Sequence, residues 1–265
     1  MYDFNYQRPG SVTDAAAALQ AADDGVIVAG GMTLIPTLKM RLASPSDAID
    51  LGAIGDLVGI EREGNAVIIK AMTTHAAVAA SDVVKSAIPA LADLADGIGD
   101  PQVRHRGTLG GSIANNDPTA DYPAALVALG ATVQTSSGSY AADDFFTGMF
   151  ETALGEGEII TSVSFPIPGK AAYVKFPNPA SRYAMVGVFV ADGGDGARVA
   201  VTGAGSGVFR QTAMEAALSS DFSSQAISGI SQSADGLNAD IHGTAEYRAH
   251  LVGVMASRAV DAANG

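Results

Sequence analysis

The chain has 265 residues, 48% of them apolar, a composition that indicates a globular protein of one large domain or two smaller ones. Its formal charge is −13, and its 15 Lys and Arg residues are scattered, which excludes the clustered basic surface that nucleic acid requires. The chain has no cysteine, so it cannot hold an iron–sulfur cluster, a cysteine-ligated zinc ion, a disulfide or a cysteinyl-flavin bond.

The first fifty residues predict a small unit of alternating helices and strands. Residues 11–22 predict a helix, and residues 26–29 predict a buried strand that stops at a glycine pair. Thr33 is expected to cap a second helix, and a further strand is expected over residues 48–51. The glycine pair therefore lies at a corner between a strand and a helix.

The middle of the chain predicts mixed helices and strands. Residues 57–70 predict a hairpin, and residues 74–97 are rich in helix. A helix is expected over residues 121–129, with strands over residues 133–135 and 159–165. This mixture of small units favours the α+β class over a doubly wound sheet.

A Pro- and Gly-rich segment, residues 166–169, is a candidate domain boundary. A three-stranded antiparallel sheet is expected beyond it, followed by a helical tail from Arg210. The strands of that sheet are predicted over residues 173–176, 185–191 and 198–202.

The first glycine motif is Ala29-Gly30-Gly31-Met32-Thr33-Leu34. Backbone N–H groups approach a phosphate closely where no Cβ intervenes, and a helix N-terminus adds a favourable dipole. The motif lacks the dinucleotide-binding spacing G-x-G-x-x-G. A plain turn between strand and helix is the alternative interpretation.

The second motif, Thr108-Leu109-Gly110-Gly111-Ser112, combines two hydroxyls with adjacent glycines and has no lysine. Hydroxyl and N–H groups can bind a pyrophosphate, so the two motifs together predict a ligand held from two sides. Asp121 follows this motif. It is expected either to cap the next helix or to accept a hydrogen bond from a ribose.

The four histidines are scattered, which predicts no metal site. His75 is expected at the start of a helix rather than on a ligand. Without further information, Lys175 is interpreted as a solvated strand residue and Tyr183 as a packing residue.

Taken together, these segments resemble the FAD-binding (medium) subunit of the molybdenum hydroxylases, the flavoprotein component of carbon monoxide dehydrogenase-like and xanthine dehydrogenase-like enzymes. The resemblance covers nearly the whole chain. It rests on both glycine motifs in their order and on Met72-Thr73-Thr74-His75-Ala76, Asn116-Asp117-Pro118, Asp121-Tyr122-Pro123-Ala124 and Ala245-Glu246-Tyr247-Arg248.

The resemblance implies a p-cresol methylhydroxylase-type FAD-binding fold of the α+β class. It would place an FAD-binding domain over residues 1–168, with subdomains of about 1–54 and 55–168. Residues 169–265 would form a C-terminal domain of a three-stranded antiparallel sheet and a helical bundle.

The resemblance also implies which residues bind FAD, non-covalently. Asp121 would bind a ribose hydroxyl, Ile159 or Ile160 would line the isoalloxazine region, Lys175 would reach the edge of the cofactor, and Tyr183 would cover the ring. The remaining cofactor-binding residues would be Ala29, Gly30, Gly31, Met32, Thr33, Leu34, Thr108, Gly110, Gly111, Ser112, Asn115 and Asp117.

The resemblance implies a subunit that would relay electrons and would have no catalytic residue of its own. Substrate would be oxidised at a molybdopterin centre in a large partner, and iron–sulfur clusters would lie in a small one, in a dimer of heterotrimers. No signal peptide or membrane span is evident, so a cytoplasmic location is expected. The alternatives are a stand-alone flavin-dependent oxidoreductase of the same fold and a flavin-free assembly scaffold.

Overall fold

The computed structural model describes residues 1–265, and its main elements form three units, each built on its own sheet. The first unit is a three-stranded parallel sheet in the order β1-β3-β2, with two helices. Its elements are β1 (Asn5–Gln7), α1 (Val12–Ala21), β2 (Gly25–Val28), α2 (Leu34–Lys39) and β3 (Asp47–Asp50). Of the two cap candidates in the sequence, Ser11 and Thr13, it is Ser11 whose side chain caps α1.

The second unit is a five-stranded antiparallel sheet in the order β4-β5-β10-β6-β7, covered by short helices. Its elements are β4 (Ile60–Glu63), β5 (Ala66–Lys70), α3 (His75–Ala80), α4 (Asp82–Ala87), α5 (Pro89–Asp96), α6 (Pro101–Arg106), α7 (Leu109–Asn115), α8 (Tyr122–Leu129), β6 (Thr132–Thr135), β7 (Ser139–Ala141), α9 (Ala142–Phe145), β8 (Phe146–Gly148), β9 (Glu151–Thr152) and β10 (Ile160–Pro166). Strands β8 and β9 pair separately.

The third unit is an antiparallel sheet with helices on one face. Its elements are β11 (Lys170–Pro177), β12 (Ala184–Gly193), β13 (Gly196–Thr202), β14 (Phe209–Arg210), α10 (Thr212–Ser220), α11 (Ser224–Ile227) and α12 (Ala245–Asn264). The three predicted strands are present, and the two-residue β14 adds a fourth. No helix combines the length and apolar character that crossing a membrane demands.

Strand β12 is buried on both faces, and its alternating side chains join the third unit to the second. Phe189 and Ala191 enter the core of the second unit, whereas Val188 and Val190 pack toward the helices of the third. The division at residues 168 and 169 therefore crosses a continuous apolar contact, and the domain boundary there stays a prediction.

Helices α6 and α7 are the main departure from the elements predicted. The sequence of α7, LGGSIAN, contains two glycines, each costing about 1 kcal/mol in a helix interior. The helix forms because Leu109 and Ile113, four residues apart, are fully buried, and because Thr108 caps it. Burial in the core thus outweighs intrinsic propensity.

Candidate functional site

Both glycine motifs open onto one cleft of about 460 Å³ beside α2 and α7. This volume lies in the range of small-molecule sites. Most of the predicted cofactor-binding residues line it. They are Ala29, Gly30, Gly31, Met32, Thr33, Leu34, Thr108, Gly111, Ser112, Asn115, Asp117, Asp121 and Tyr183.

The first loop, defined as residues 29–34, presents a row of free backbone donors. No backbone N–H from Gly30 to Leu34 has an acceptor in the chain. Gly31 has a φ of +74°, a conformation that glycine adopts without strain. Thr33 precedes α2 but makes no side-chain cap, so it satisfies none of these donors. Successive free N–H groups of this kind form a concavity that binds anions.

The second loop, defined as residues 107–112, uses all but one of its backbone N–H groups in hydrogen bonds within the chain. Leu109 N–H donates to the Thr73 carbonyl (3.0 Å), and Gly110 N–H donates to the Ala71 carbonyl (2.8 Å). Gly111 N–H donates to the Thr108 hydroxyl (3.1 Å). This loop therefore offers the cleft the hydroxyl groups of Thr108 and Ser112 and the N–H of Thr108, which has no acceptor in the chain.

Glycines allow the two loops to touch. A Cβ on Gly30 would overlap the Arg106 carbonyl oxygen, and a Cβ on Gly111 would lie 3.3 Å from the Ala29 Cβ. Gly110 is different, because it is absent from the cleft lining and its Cβ would lie 2.7 Å from the Ala71 Cβ. Gly110 thus serves the packing of α7 against the end of β5.

No Lys or Arg lines the cleft. A diphosphate here would be held by N–H and hydroxyl groups alone, as the second motif predicts. Asp117 faces the cleft, and its Oδ1 accepts from the N–H (2.8 Å) and hydroxyl (2.6 Å) of Thr119. These bonds fix the turn that leads to Asp121.

Asp121 is the N-cap residue of α8 by position, as expected, but its side chain makes no capping hydrogen bond, so that part of the interpretation is wrong. Its Oδ1 accepts from the Tyr173 hydroxyl (2.6 Å) and from Lys175 Nζ (2.9 Å). Burial raises the pKa of the Asp121 carboxyl, and the Lys175 charge and the Tyr173 hydrogen bond oppose that rise. Lys175 Nζ also donates to the Gly97 carbonyl (2.9 Å), so the interpretation as a solvated residue is also wrong.

Tyr183 lies at the rim of the cleft with its side chain about half exposed. Partial burial raises the pKa of its phenol, and the charges of Asp117 and Asp121 add to the rise. Ile159 and Ile160 lie in two hydrophobic cores and do not line the cleft. Their contact with a flavin ring stays a prediction.

His75 is the first residue of α3, as predicted, and it also lines the cleft. Its backbone N–H donates to the Gly107 carbonyl (3.0 Å), and its ring packs against Tyr122. Burial lowers the pKa of the imidazole to about 4, and the charge of Arg104 contributes. The ring is therefore neutral near pH 7. No cluster of His, Asp and Glu is arranged to hold a metal ion.

The lining residues that were not predicted include Thr37, Ile98 and Val103. Thr37 lies one helical turn after Thr33, a spacing that places both on one face of α2. Val103 lies in α6, whose start carries a recognisable signal: Asp100 accepts from Val103 N–H (2.9 Å), and Pro101 follows it.

A scan against family models matches residues 2–168 to the FAD-binding domain in molybdopterin dehydrogenase. This match includes both glycine loops and all of the second unit. The third unit is covered by the individual relatives.

The chain is similar to the medium chain of carbon monoxide dehydrogenase of Afipia carboxidovorans, at 36% identity over 98% of this chain and 96% of the relative. It is also similar to the medium subunit of nicotine 6-hydroxylase of Paenarthrobacter nicotinovorans, at 37% identity over 96% and 95%.

Solved structures agree over the full length. A crystal structure of Cu,Mo-CO dehydrogenase superposes with a TM-score of 0.89 at 34% identity, covering 99% of this chain and 98% of that one. Quinoline 2-oxidoreductase of Pseudomonas putida superposes with a TM-score of 0.88 at 29% identity, covering 98% and 96%. The chain belongs to the family of FAD-binding medium subunits of the molybdenum hydroxylases.

Proposed function

We propose that this chain binds FAD non-covalently and serves as the electron-transfer subunit of a heteromeric molybdenum-dependent hydroxylase. The observation that carries the proposal is the row of free N–H groups from Gly30 to Leu34, which faces the Thr108 and Ser112 hydroxyls across one cleft. Bound FAD would supply the redox chemistry, taking electrons from iron–sulfur clusters of a partner and giving them to an external acceptor.

The chain's own residues bind and orient the cofactor in this proposal. The first loop donates backbone N–H groups to the pyrophosphate, and the second loop adds its hydroxyls. The Asp121 carboxylate accepts a hydrogen bond from a ribose hydroxyl, and Tyr183 covers the flavin ring at the rim. No residue here needs to donate or remove a substrate proton, because substrate is oxidised elsewhere in the complex.

The proposed partners are a large molybdopterin-binding subunit and a small iron–sulfur subunit. Two observations support them: the similar proteins are medium chains or subunits, and this chain has no cysteine to ligate a cluster. A dimer of heterotrimers in the cytoplasm is the finer part of the proposal. Native mass spectrometry of the complex purified from its source checks the stoichiometry, and cell fractionation checks the location.

The flavin content of the purified chain tests the central proposal. We expect a visible flavin absorption band, and denaturation should release a flavin that chromatography identifies as FAD. A colourless chain that takes up no added FAD contradicts the proposal. A chain that oxidises substrate without any partner contradicts the relay role and favours a stand-alone oxidoreductase.

A further inference from the structure

Strand β11 directs two polar side chains of the third unit at Asp121, a residue that lines the cofactor cleft. Side chains alternate along a strand, so Val174 and Phe176 pack into the core under α12 while Tyr173 and Lys175 face the second unit. Both reach the same atom, Asp121 Oδ1, at 2.6 and 2.9 Å. The Asp121 side chain is 4% exposed and that of Lys175 is 12% exposed.

The surrounding backbone leaves room for this contact. Gly187 pairs with Lys175 across β11 and β12, and a Cβ on Gly187 would overlap the Tyr173 hydroxyl oxygen. The Gly97 carbonyl, at the end of α5, accepts a second hydrogen bond from Lys175 Nζ (2.9 Å). The ammonium group, which belongs to the third unit, is therefore held by two groups of the second unit.

The buried carboxylate depends on this cation. An ionised carboxyl out of water is costly unless a charge or hydrogen bonds compensate it. The titratable side chains around Asp121 are Lys175, Tyr173, Tyr122 and Tyr183, and of these only Lys175 is cationic. Protonated Asp121 would lose acceptor capacity toward a ribose hydroxyl.

We infer that Lys175 and Tyr173 are positioning residues, which hold the Asp121 carboxylate ionised and directed at the cofactor, rather than residues that contact the cofactor themselves. The inference rests on the proposed binding of FAD. The third unit would then be part of the cofactor site, because removing the side chains of Tyr173 and Lys175 would change the Asp121 carboxyl, which belongs to the second unit.

A double-mutant cycle in the full-length chain separates this role from direct contact with FAD. The dissociation constant of FAD is measured by flavin fluorescence for the wild type, Asp121→Asn, Lys175→Met and the double variant. Each single substitution is expected to weaken binding about tenfold or more, since each removes a charged partner. The double variant is expected to bind no more weakly than Asp121→Asn. Losses that multiply, or a Lys175→Met variant that binds as the wild type does, overturn the inference.

Two more variants distinguish a specific loss of FAD binding from a loss caused by misfolding. Tyr173→Phe keeps the ring and removes one hydrogen bond; it should weaken FAD binding severalfold, and not at all in the Asp121→Asn background. Lys170→Met, on the same strand, is the matched control, because Lys170 Nζ bonds Asn264 far from the cleft. It should bind FAD as the wild type does.

The titration of the Asp121 carboxyl, followed by carbon-13 NMR without added FAD, distinguishes failure of this inference from failure of the proposed function. It should move to higher pH in Lys175→Met and stay unchanged in Lys170→Met. An unmoved titration overturns the positioning role, whatever the wild type binds. If the Asp121 titration moves in Lys175→Met as expected but the wild type binds no FAD, only the proposed function is contradicted.

Discussion

The two glycine loops that face each other across the cleft differ in where their backbone N–H groups point. From Gly30 to Leu34 these groups have no acceptor in the chain. From Leu109 to Gly111 they bond to Thr73, Ala71 and Thr108. The N–H groups of the first loop are thus available to a ligand. Those from Leu109 to Gly111 are already bonded within the chain, so the second loop mainly presents hydroxyl groups.

The comparison shows that adjacent glycines have two separate uses in one site. Gly31 adopts a positive φ within a row of free donors, and Gly111 keeps the cleft wide beside Ala29. Gly30 and Gly110 are required for packing, because a side chain at either position would meet backbone atoms of a neighbouring segment. A substitution at each glycine should therefore separate cofactor binding from stability in a predictable way.

Gly30→Ala should have the largest effect, because it forces the two loops apart. Its Cβ would overlap the Arg106 carbonyl oxygen and lie 2.8 Å from the Gly107 Cα, and both of these are backbone atoms. We expect loss of bound FAD and a fall in the free energy of unfolding of about 3 kcal/mol. Flavin absorption and urea unfolding measure the two quantities.

Gly55→Ala is the matched control for this substitution. No atom lies within 4 Å of a Cβ at Gly55, and its φ is not positive. This variant should keep both FAD and stability. Equal flavin content in Gly30→Ala and Gly55→Ala would show that contact between the loops is not needed for the site.

Acid should lower the stability of the protein through the buried imidazole of His75. The unfolded imidazole has a pKa near 6.5, and burial lowers the native pKa to about 4. Between these values the unfolded state binds the extra proton, so stability falls as pH decreases from 6.5 toward 4, by about 3 kcal/mol in all. Unfolding by urea at several pH values measures this slope.

His75→Asn supplies the comparison for the pH experiment. It removes the titrating ring, so stability should depend less steeply on pH between 6.5 and 4, while the carboxylates contribute equally to both proteins. The same slope in the variant and the wild type would show that His75 does not titrate in this window.

Gly110→Ala and Gly111→Ala should differ although the residues are adjacent. A Cβ on Gly110 meets Ala71 atoms at 2.7 to 3.1 Å, which should lower stability by about 1–3 kcal/mol. A Cβ on Gly111 meets only the Thr108 hydroxyl at 3.0 Å and the Ala29 Cβ at 3.3 Å, so it should weaken FAD binding with little loss of stability. Matching profiles for the two variants would contradict the division of roles.

Periodicity was enough to predict the fold class and most elements, because it is a local signal. The two motifs predicted part of the cleft lining, and the family resemblance supplied residues outside them such as Asn115, Asp117 and Tyr183. It could not separate Gly110 from Gly111, since only the position of Ala71 distinguishes them. It also misjudged Lys175, whose partner Asp121 lies 54 residues away. Contacts between distant segments leave no spacing to detect in a single sequence.

The smallest expected effects on stability and FAD affinity come from removing the two hydroxyl groups that the second loop presents, those of Thr108 and Ser112. Thr108→Val removes both a hydroxyl in the cleft and the cap on Gly111 N–H, so it should cost about 1 kcal/mol of stability as well as FAD affinity. The Ser112 side chain makes no hydrogen bond within the chain, so Ser112→Ala should change stability by less than about 0.5 kcal/mol while weakening FAD binding about fivefold. Thr108→Ser keeps the hydroxyl and should restore both properties. If Ser112→Ala binds FAD as tightly as the wild type, the contribution of the second loop reduces to Thr108 alone, and the first loop carries the remaining pyrophosphate contacts.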